Sequence, residues 1–533
     1  MKEGMNKLIN TAFMKLPKRA EQTSDRAKLV ATFVDVGPLF TLLSNIDHQV
    51  LYGRRGTGKT HAFSYLAETR RERGDIAVYI DMRTIGSTGG LYNDASLPIS
   101  HRATGLLIDS VKAIYTGLYE FFVDLAEELD LSRTGPLLDR LSDAITEIAV
   151  IGTVQRENKM LDSIDTSDKS KAEASLSEKG LKVSYGETTE QKQKNQVEQR
   201  ITESGVAEHR VHFGALGQVF NDIADAMGNK RLWVLLDEWS SVPLELQPYL
   251  ADLLKRSMFP VAKITVKIAA IEQRSRFRLI TGHGDYIGVE LGADISADLN
   301  LDDYMVFDND EERAKDFFQE LLFKHYRETD ELELASGPQY SDELIRHAFT
   351  QRNVFDEFVR ATEGVPRDAI NIISHAAQKA LNDRISMAHI NTAARNWYQR
   401  DKDAAIKANE DAHDLLHWIV DKVIGERRAR AFLLRSNIDN ELINTLFDAR
   451  LLHIMKRNIS ARDQPGIRYD VYELDYGCYV DLKGTDRAPL GLLQSGDEDE
   501  TSYIEVPPDD YRAIRRAILN LDEFVGRTRT LDI

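Results

Sequence analysis

Gly53-Arg54-Arg55-Gly56-Thr57-Gly58-Lys59-Thr60 matches the phosphate-loop pattern G-x-x-x-x-G-K-[ST], and it lies between an apolar run and an amphipathic one. No other feature of the chain restricts its fold so strongly. His48 to Tyr52 reads as a short buried strand, Thr60 to about Arg73 as a helix ended by Gly74, and Ile76 to Ile80 as a second strand. Strand, helix and strand at this spacing make a βαβ unit, which requires a parallel sheet. Gly53, Gly56 and Gly58 let successive main-chain N–H groups, those of Thr57, Lys59 and Thr60 among them, wrap an anion with no Cβ in the way. The N-terminus of the following helix adds partial positive charge at the same spot. In such a loop Lys59 reaches the β- and γ-phosphates of a nucleoside triphosphate, and the Thr60 hydroxyl is a ligand for Mg2+. A glycine turn that binds nothing is the bland alternative.

The stretch Arg231 to Glu238 is an apolar strand ending in two carboxylates. Ligands of open α/β sheets bind at the carboxyl ends of the strands, so Asp237 and Glu238 belong beside the loop. Asp237 is expected to hold Mg2+ through water, and Glu238 to orient and deprotonate an attacking water. Alternatively the pair only caps the next helix. ATP and Mg2+ are the expected ligands, and hydrolysis the expected reaction.

A chain of 533 residues is too long for one core and predicts about two to four domains. Its hydrophobic share of 42% is enough to fill them. The single cysteine, Cys478, excludes an internal disulfide framework and a cysteine-rich zinc site, which points to a reducing, cytoplasmic setting. No apolar run approaches membrane-spanning length, and the first residues lack the apolar region of a signal peptide. A net charge of −18 argues against a broad coat for nucleic acid. That charge is uneven: Lys422 to Arg468 holds ten Lys and Arg against five Asp and Glu, a basic module on an acidic body.

Residues 1–29 read as a polar leader that packs loosely, and 30–310 as the α/β core, with an insertion at about 86–211. Within the insertion, helices are expected over Ala103 to Glu128 and Pro136 to Ile148. Gln155 to Glu208 is polar, with weak hairpin alternation at Ala172 to Tyr185; it reads as a solvated segment or, alternatively, a partner-binding arm. A helix near Leu216 to Met227 and a strand at Ile264 to Ile271 return to the core. Residues 311–408 are helical, the first helix burying Ala314, Phe317, Phe318, Leu321 and Leu322 behind a cap at Asp308 or Asp310.

A phosphate loop, an Asp-Glu strand end, a later strand and an all-helical region resemble an AAA+ ATPase: a P-loop NTPase core of α/β class with a parallel sheet and a helical lid. Glu363-Gly364-Val365-Pro366-Arg367-Asp368-Ala369, before a helix carrying Ile370, Ile373 and Ala377, resembles the second sensor region of the origin-recognition (replication-initiator) clade. The resemblance assigns Arg367 to the γ-phosphate. It places the polar residue after the last strand at Glu272 or Gln273, where asparagine or threonine is more usual; Gln273 is the one able to position water. Arg274, Arg276 and Arg278 offer a finger donated across a subunit interface, which implies a homo-oligomer, or else form a solvated cluster.

Residues 409–490 read as a C-terminal winged helix, followed by a tail over 491–533. The expected elements are a helix through Leu415 to Val423, a short helix Arg430 to Leu434, a helix Asp439 to Leu451, and strands Leu452 to Ile459 and Ile467 to Leu482. The resemblance implies engagement of double-stranded DNA by this module, in replication, mobile-element or phage-defence biology. Asn440, Glu441, Asn444 and Asp448 suit base reading poorly, whereas Arg427, Arg428, Arg430, Lys456, Arg457, Arg462 and Arg468 suit backbone contact. A winged helix used for protein contacts only, in a nucleotide switch whose insertion docks a partner, is the alternative.

Overall fold

The computed structural model describes residues 2–19, 26–35, 37–85, 92, 94, 96–124, 131–146, 148–151, 154–158, 199–203, 206–209, 211–281, 284–304, 311–329, 337–427, 429–436, 440–460, 466–482 and 518–524. Two compact units are present, one formed by Met1–Thr84, Asn229–Lys255 and Ala262–Ile533, the other by Ile85–Gly228 with Arg256–Val261.

The first unit is built on a five-stranded sheet. From edge to edge its strands are Ser296–Asn300, Gln49–Tyr52, Ile264–Ala270, Leu232–Asp237 and Ile76–Asp81, and every neighbouring pair is parallel. Parallel strands are covered on both faces, so they consist of unbroken apolar runs rather than alternating ones. Leu232–Asp237 and Ile264–Ala270 are buried at every position, as that rule requires. The expected core of α/β class with a parallel sheet is therefore present; four of its strands lie within a residue of the sequence reading, whereas the edge strand Ser296–Asn300 has no counterpart in it.

Five helices, Glu311–Arg327, Ser341–Ala348, Arg352–Ala361, Pro366–Ala380 and Met387–Trp397, follow the sheet and share its apolar core. Pro366 opens the fourth of them, where its missing N–H costs nothing. The chain turns into that helix through Glu363 and Gly364, at φ 50° and 71°. Asp308 and Asp310, read as caps, lie outside the described residues.

The loosely packed leader is not what the structure has. Lys2–Met14 is a helix whose Ile9, Ala12 and Phe13 are fully buried in the same core as the helical region. Asn10 Nδ2 donates to the carbonyls of Leu381 and Asp383 at 2.8 and 2.9 Å, closing off the end of Pro366–Ala380. Lys7 is exposed, whereas Ile9, Ala12 and Phe13 form the buried apolar stripe.

In the second unit, helices Ile99–Asp124, Leu131–Thr146 and Phe213–Ala226 accompany two antiparallel strand pairs, Ile148–Ile151 with Val206–His209 and Val154–Asn158 with Gln199–Glu203. Phe213–Ala226, expected in the core, instead packs here, and Asp222 accepts from Arg140 at 2.8 Å. The weak hairpin at Ala172 to Tyr185 lies outside the described residues.

The C-terminal region runs helix Glu410–Val420, strand Ala431–Arg435, helix Glu441–Asp448, then strands Leu452–Ser460 and Arg468–Leu474, with Arg468–Leu474 central in an antiparallel sheet of three. Two expectations fail. The short helix at Arg430 to Leu434 is a strand, because Phe432, Leu433 and Leu434 form an unbroken apolar run that pairs with Asp470 to Tyr472. The long last strand stops at Leu474, where Asp475 Oδ1 accepts from Gly477 N at 2.8 Å and starts the helix Tyr476–Leu482. Among the described residues no helix is long and apolar enough to cross a membrane.

Candidate functional site

Gln49–Tyr52 delivers the chain into the phosphate loop at the carboxyl edge of the sheet, and Lys59–Glu72 leaves it. Gly56 and Gly58 sit at φ 92° and 100°, a region that side chains avoid. Lys59 is 7% exposed, and its Nζ donates to the carbonyls of Gly53 at 2.7 Å and Arg54 at 2.9 Å. Burial pushes its pKa down, while Glu238, Asp237 and Asp302 act in the opposite sense.

The neighbouring strand brings in the acid pair. Asp237 is fully buried, and its Oδ2 accepts from the Thr60 hydroxyl and from the Tyr79 hydroxyl, each at 2.7 Å. Its Oδ1 accepts from the Glu238 amide at 2.8 Å. Glu238 holds the left-handed backbone at φ 55°, a strain that surrounding structure must hold in place. Trp239 provides part of that support: it stacks on Phe277 at 5.2 Å, and its Nε1 donates to Gln247 at 3.1 Å.

Arg367 arrives from the helical region. Its amide donates to the Gly56 carbonyl at 3.2 Å, so the start of Pro366–Ala380 rests directly on the loop. A Cβ at Gly56 would lie 2.8 Å from the Arg367 Cβ and 3.2 Å from Val365 Cγ1. At Gly58 an added Cβ meets nothing within 4 Å. Gly56→Ala is therefore expected to suffer both steric clash and backbone strain, and Gly58→Ala strain alone, of about 1–2 kcal/mol. Thermal unfolding of the two variants checks this: a Gly58→Ala loss as large as that of Gly56→Ala would mean the contact with Arg367 does not matter.

These elements line a cavity open to solvent. Arg55, Gly56, Thr57, Gly58, Lys59, Thr60, Glu238 and Arg367 are among its lining residues. Phe33, Leu39, Phe317, Leu321 and Ile370 supply apolar lining, and His325, Pro17, Lys18 and Arg19 also border it. Phe33 is fixed there by stacking on Tyr65, with ring centroids 4.1 Å apart. Gly53 and Asp237 stand just behind this wall and act through Lys59 and Thr60.

Gln273 is not among the residues that line the cavity. The chain leaves Ile264–Ala270 in a tight turn, Glu272–Arg274, whose charged side chains are drawn to the C-terminal region: Glu272 binds Arg457 at 2.8 Å and Arg274 binds Asp448. Arg278 is paired with Glu290 at 3.3 Å. Arg276 is exposed and, among the described residues, makes no ion pair.

Several site residues gave no sequence signal. Tyr79 looked like an ordinary strand tyrosine, and Phe317, Leu321 and Ile370 like an ordinary core stripe. Arg54 is a variable position of the loop motif, yet it is 2% exposed and bound to Asp302 at 2.8 Å. Glu363, His453 and Asp475 lie close enough together to suggest a metal site. Arg430, Arg54 and Lys402 already hold those groups, which makes the cluster a buried ionic network.

Burial pushes the pKa of His325 down to about 3 and that of His453 to about 4. Both fall below the unfolded value of about 6.5, so the unfolded chain takes up protons that the folded chain refuses. The stability these neutral rings contribute is complete above about pH 6.5 and is lost as the pH falls toward 4. Between pH 7 and pH 5 each ring should cost about 2 kcal/mol. A melting temperature that stays level over that interval would mean the rings are not buried neutral.

With the geometry described, the chain can be set beside known proteins. No protein-family model matches it, and no curated protein matches it. Among solved structures it is similar to the Aeropyrum pernix ORC1 protein in complex with DNA, at 12% identity and a TM-score of 0.31, over 85% of this chain and 93% of that one. The likeness is loose, and the site stands on its own geometry.

Proposed function

We propose that this chain binds ATP with Mg2+ in the cavity and hydrolyses it. One observation carries the reading: Thr60 and Asp237, 177 residues apart, share a 2.7 Å hydrogen bond beside a cavity that Lys59, Glu238 and Arg367 also line. The donor set fits the ligands. Left-handed glycines leave main-chain amides uncovered for phosphate, and a hydroxyl beside a carboxylate offers the hard oxygens that Mg2+ prefers. The ion, when bound, neutralises charge on the β- and γ-phosphate oxygens. Lys59 and Arg367 would bind those oxygens, Glu238 would take the proton of the attacking water, and the apolar lining would shelter the base.

The order helix, strand, helix, strand, strand supports a winged-helix reading of the C-terminal region. Several of its expected DNA-facing groups are, however, engaged within the chain, while Arg428 and Arg462 lie outside the described residues. Arg430 holds Glu363 at 2.7 Å and also binds Glu473, Arg457 holds Glu272, and Arg427 donates to the Ile518 carbonyl. Helix Glu441–Asp448 turns Phe447 and Asp448 to the ATPase core. This favours a nucleotide switch that acts on a partner protein, with double-stranded DNA reached only once these contacts open. Subunit assembly, with Arg276 as the finger, belongs to the same proposal.

ATP turnover with and without duplex DNA, over a range of salt, separates the two. Stimulation that fades steeply as salt rises supports DNA engagement. Turnover indifferent to DNA, with a partner retained by the ATP-trapped Glu238→Gln protein, supports the switch. A chain that neither binds nor hydrolyses ATP removes both.

A further inference from the structure

Arg54 points away from the cavity. Its amide and Nε both donate to Asp302, at 2.9 and 2.8 Å, which anchors the loop to the end of the sheet. Its guanidinium continues into the C-terminal region. Nη1 donates to the Leu452 carbonyl at 3.1 Å and to His453 Nδ1 at 2.9 Å, and the planar group lies 4.7 Å from the centre of the Phe447 ring. The carbonyl of this same residue accepts from Lys59 Nζ at 2.9 Å. One residue therefore holds the phosphate-binding lysine with its main chain and the C-terminal region with its side chain.

The contacts continue beyond Arg54. A guanidinium can only donate, so His453 Nδ1 accepts, and Nε2–H is left to donate to Asp475 at 3.2 Å. Asp475 binds Lys402, whose Nζ lies 2.8 Å from Asp368. Asp368 follows Arg367, whose amide returns to the loop at Gly56. Arg450 adds a second strut, reaching Asp368 at 3.5 Å and the Arg55 carbonyl at 3.5 Å. Loop, C-terminal region and helix Pro366–Ala380 thus form a closed circuit of buried polar contacts. In the low dielectric of the interior such contacts polarise and strengthen one another, so losing one weakens its neighbours.

We infer that Arg54 is a positioning residue through which the docked C-terminal region holds the phosphate loop in its nucleotide-binding shape. Because the coupling is thermodynamic, it runs both ways: docking raises nucleotide affinity, and nucleotide tightens docking. This rests on the ATP-binding reading above. Undocking breaks the Arg54 contacts to Leu452, His453 and Phe447 but leaves those to Asp302, so the loop loosens without unfolding.

The test uses the full chain, a fluorescent ATP analogue and amide hydrogen exchange of Leu452–Ser460. Arg54→Ala and His453→Ala should each weaken analogue binding about tenfold, and the double variant should be no weaker than the worse single one. ATP should slow exchange in Leu452–Ser460 of the unmodified protein and leave it unchanged in Arg54→Ala. Arg54→Lys, which keeps the charge but lacks the planar fork, should behave like Arg54→Ala. Should His453→Ala unfold, Phe447→Ala replaces it, since it removes only the stacked ring. Affinities within twofold of the unmodified protein, effects that multiply in the double variant, or exchange blind to ATP would each overturn the link. If the unmodified chain fails to bind the analogue, the nucleotide site itself is wrong and the link falls with it.

Discussion

Lys59→Ala should lose ATP binding by at least about a hundredfold, the order expected when a buried charge-assisted contact to an anion is removed. The reason lies in where the ammonium sits. It is 7% exposed, held at 2.7 and 2.9 Å by two loop carbonyls, and surrounded by the fields of Glu238, Asp237 and Asp302. Without it, a triphosphate entering the cavity meets those carboxylates with Arg367 and the loop amides as counterweights. The carbonyls of Gly53 and Arg54 also lose their donor. Titration calorimetry with ATP measures the loss, and a melting temperature close to that of the unmodified protein shows that the fold survives. Binding that persists at full strength would take the phosphate loop out of the account.

Glu238→Gln should separate binding from chemistry. The amide keeps the shape and the left-handed backbone of Glu238, at φ 55°, but cannot take a proton. ATP affinity should therefore hold while turnover falls by about 10²–10⁴-fold. A single-turnover assay with saturating nucleotide distinguishes this from weak binding. Normal turnover would reassign the base, and the fully buried Asp237 is a poor substitute, since its oxygens are already taken up by Thr60, Tyr79 and the Glu238 amide. On the proposed reading its place is beside the ion rather than at the attacking water.

The two variants probe halves of one site that lie far apart in the chain. Their meeting depends on strand order: Leu232–Asp237 is separated from Gln49–Tyr52 by the single strand Ile264–Ala270, so the loop and the acid pair emerge at the same edge. That edge is also where Arg367 descends from the helical region. The same packing explains why Gln273 is not among the residues that line the cavity. Its turn is pulled toward the C-terminal region by the ion pairs of Glu272 and Arg274, which no local pattern encodes.

What the sequence alone determined here is what short-range physics controls. Glycines that require positive φ, apolar runs buried on both faces, a proline that opens a helix and carboxylates at a strand end all constrain their own neighbours, so they were legible residue by residue. Tertiary structure decided the rest. The charged N-terminal stretch became a buried helix because its apolar stripe finds the helical region, and Phe432 to Leu434 became a strand because an unpaired partner strand was available. Arg54 acquired its position from Asp302, Leu452 and His453, which lie 248 to 399 residues away in the chain. A side chain's partners at such separation depend on how whole elements pack, and local propensity carries no information about that.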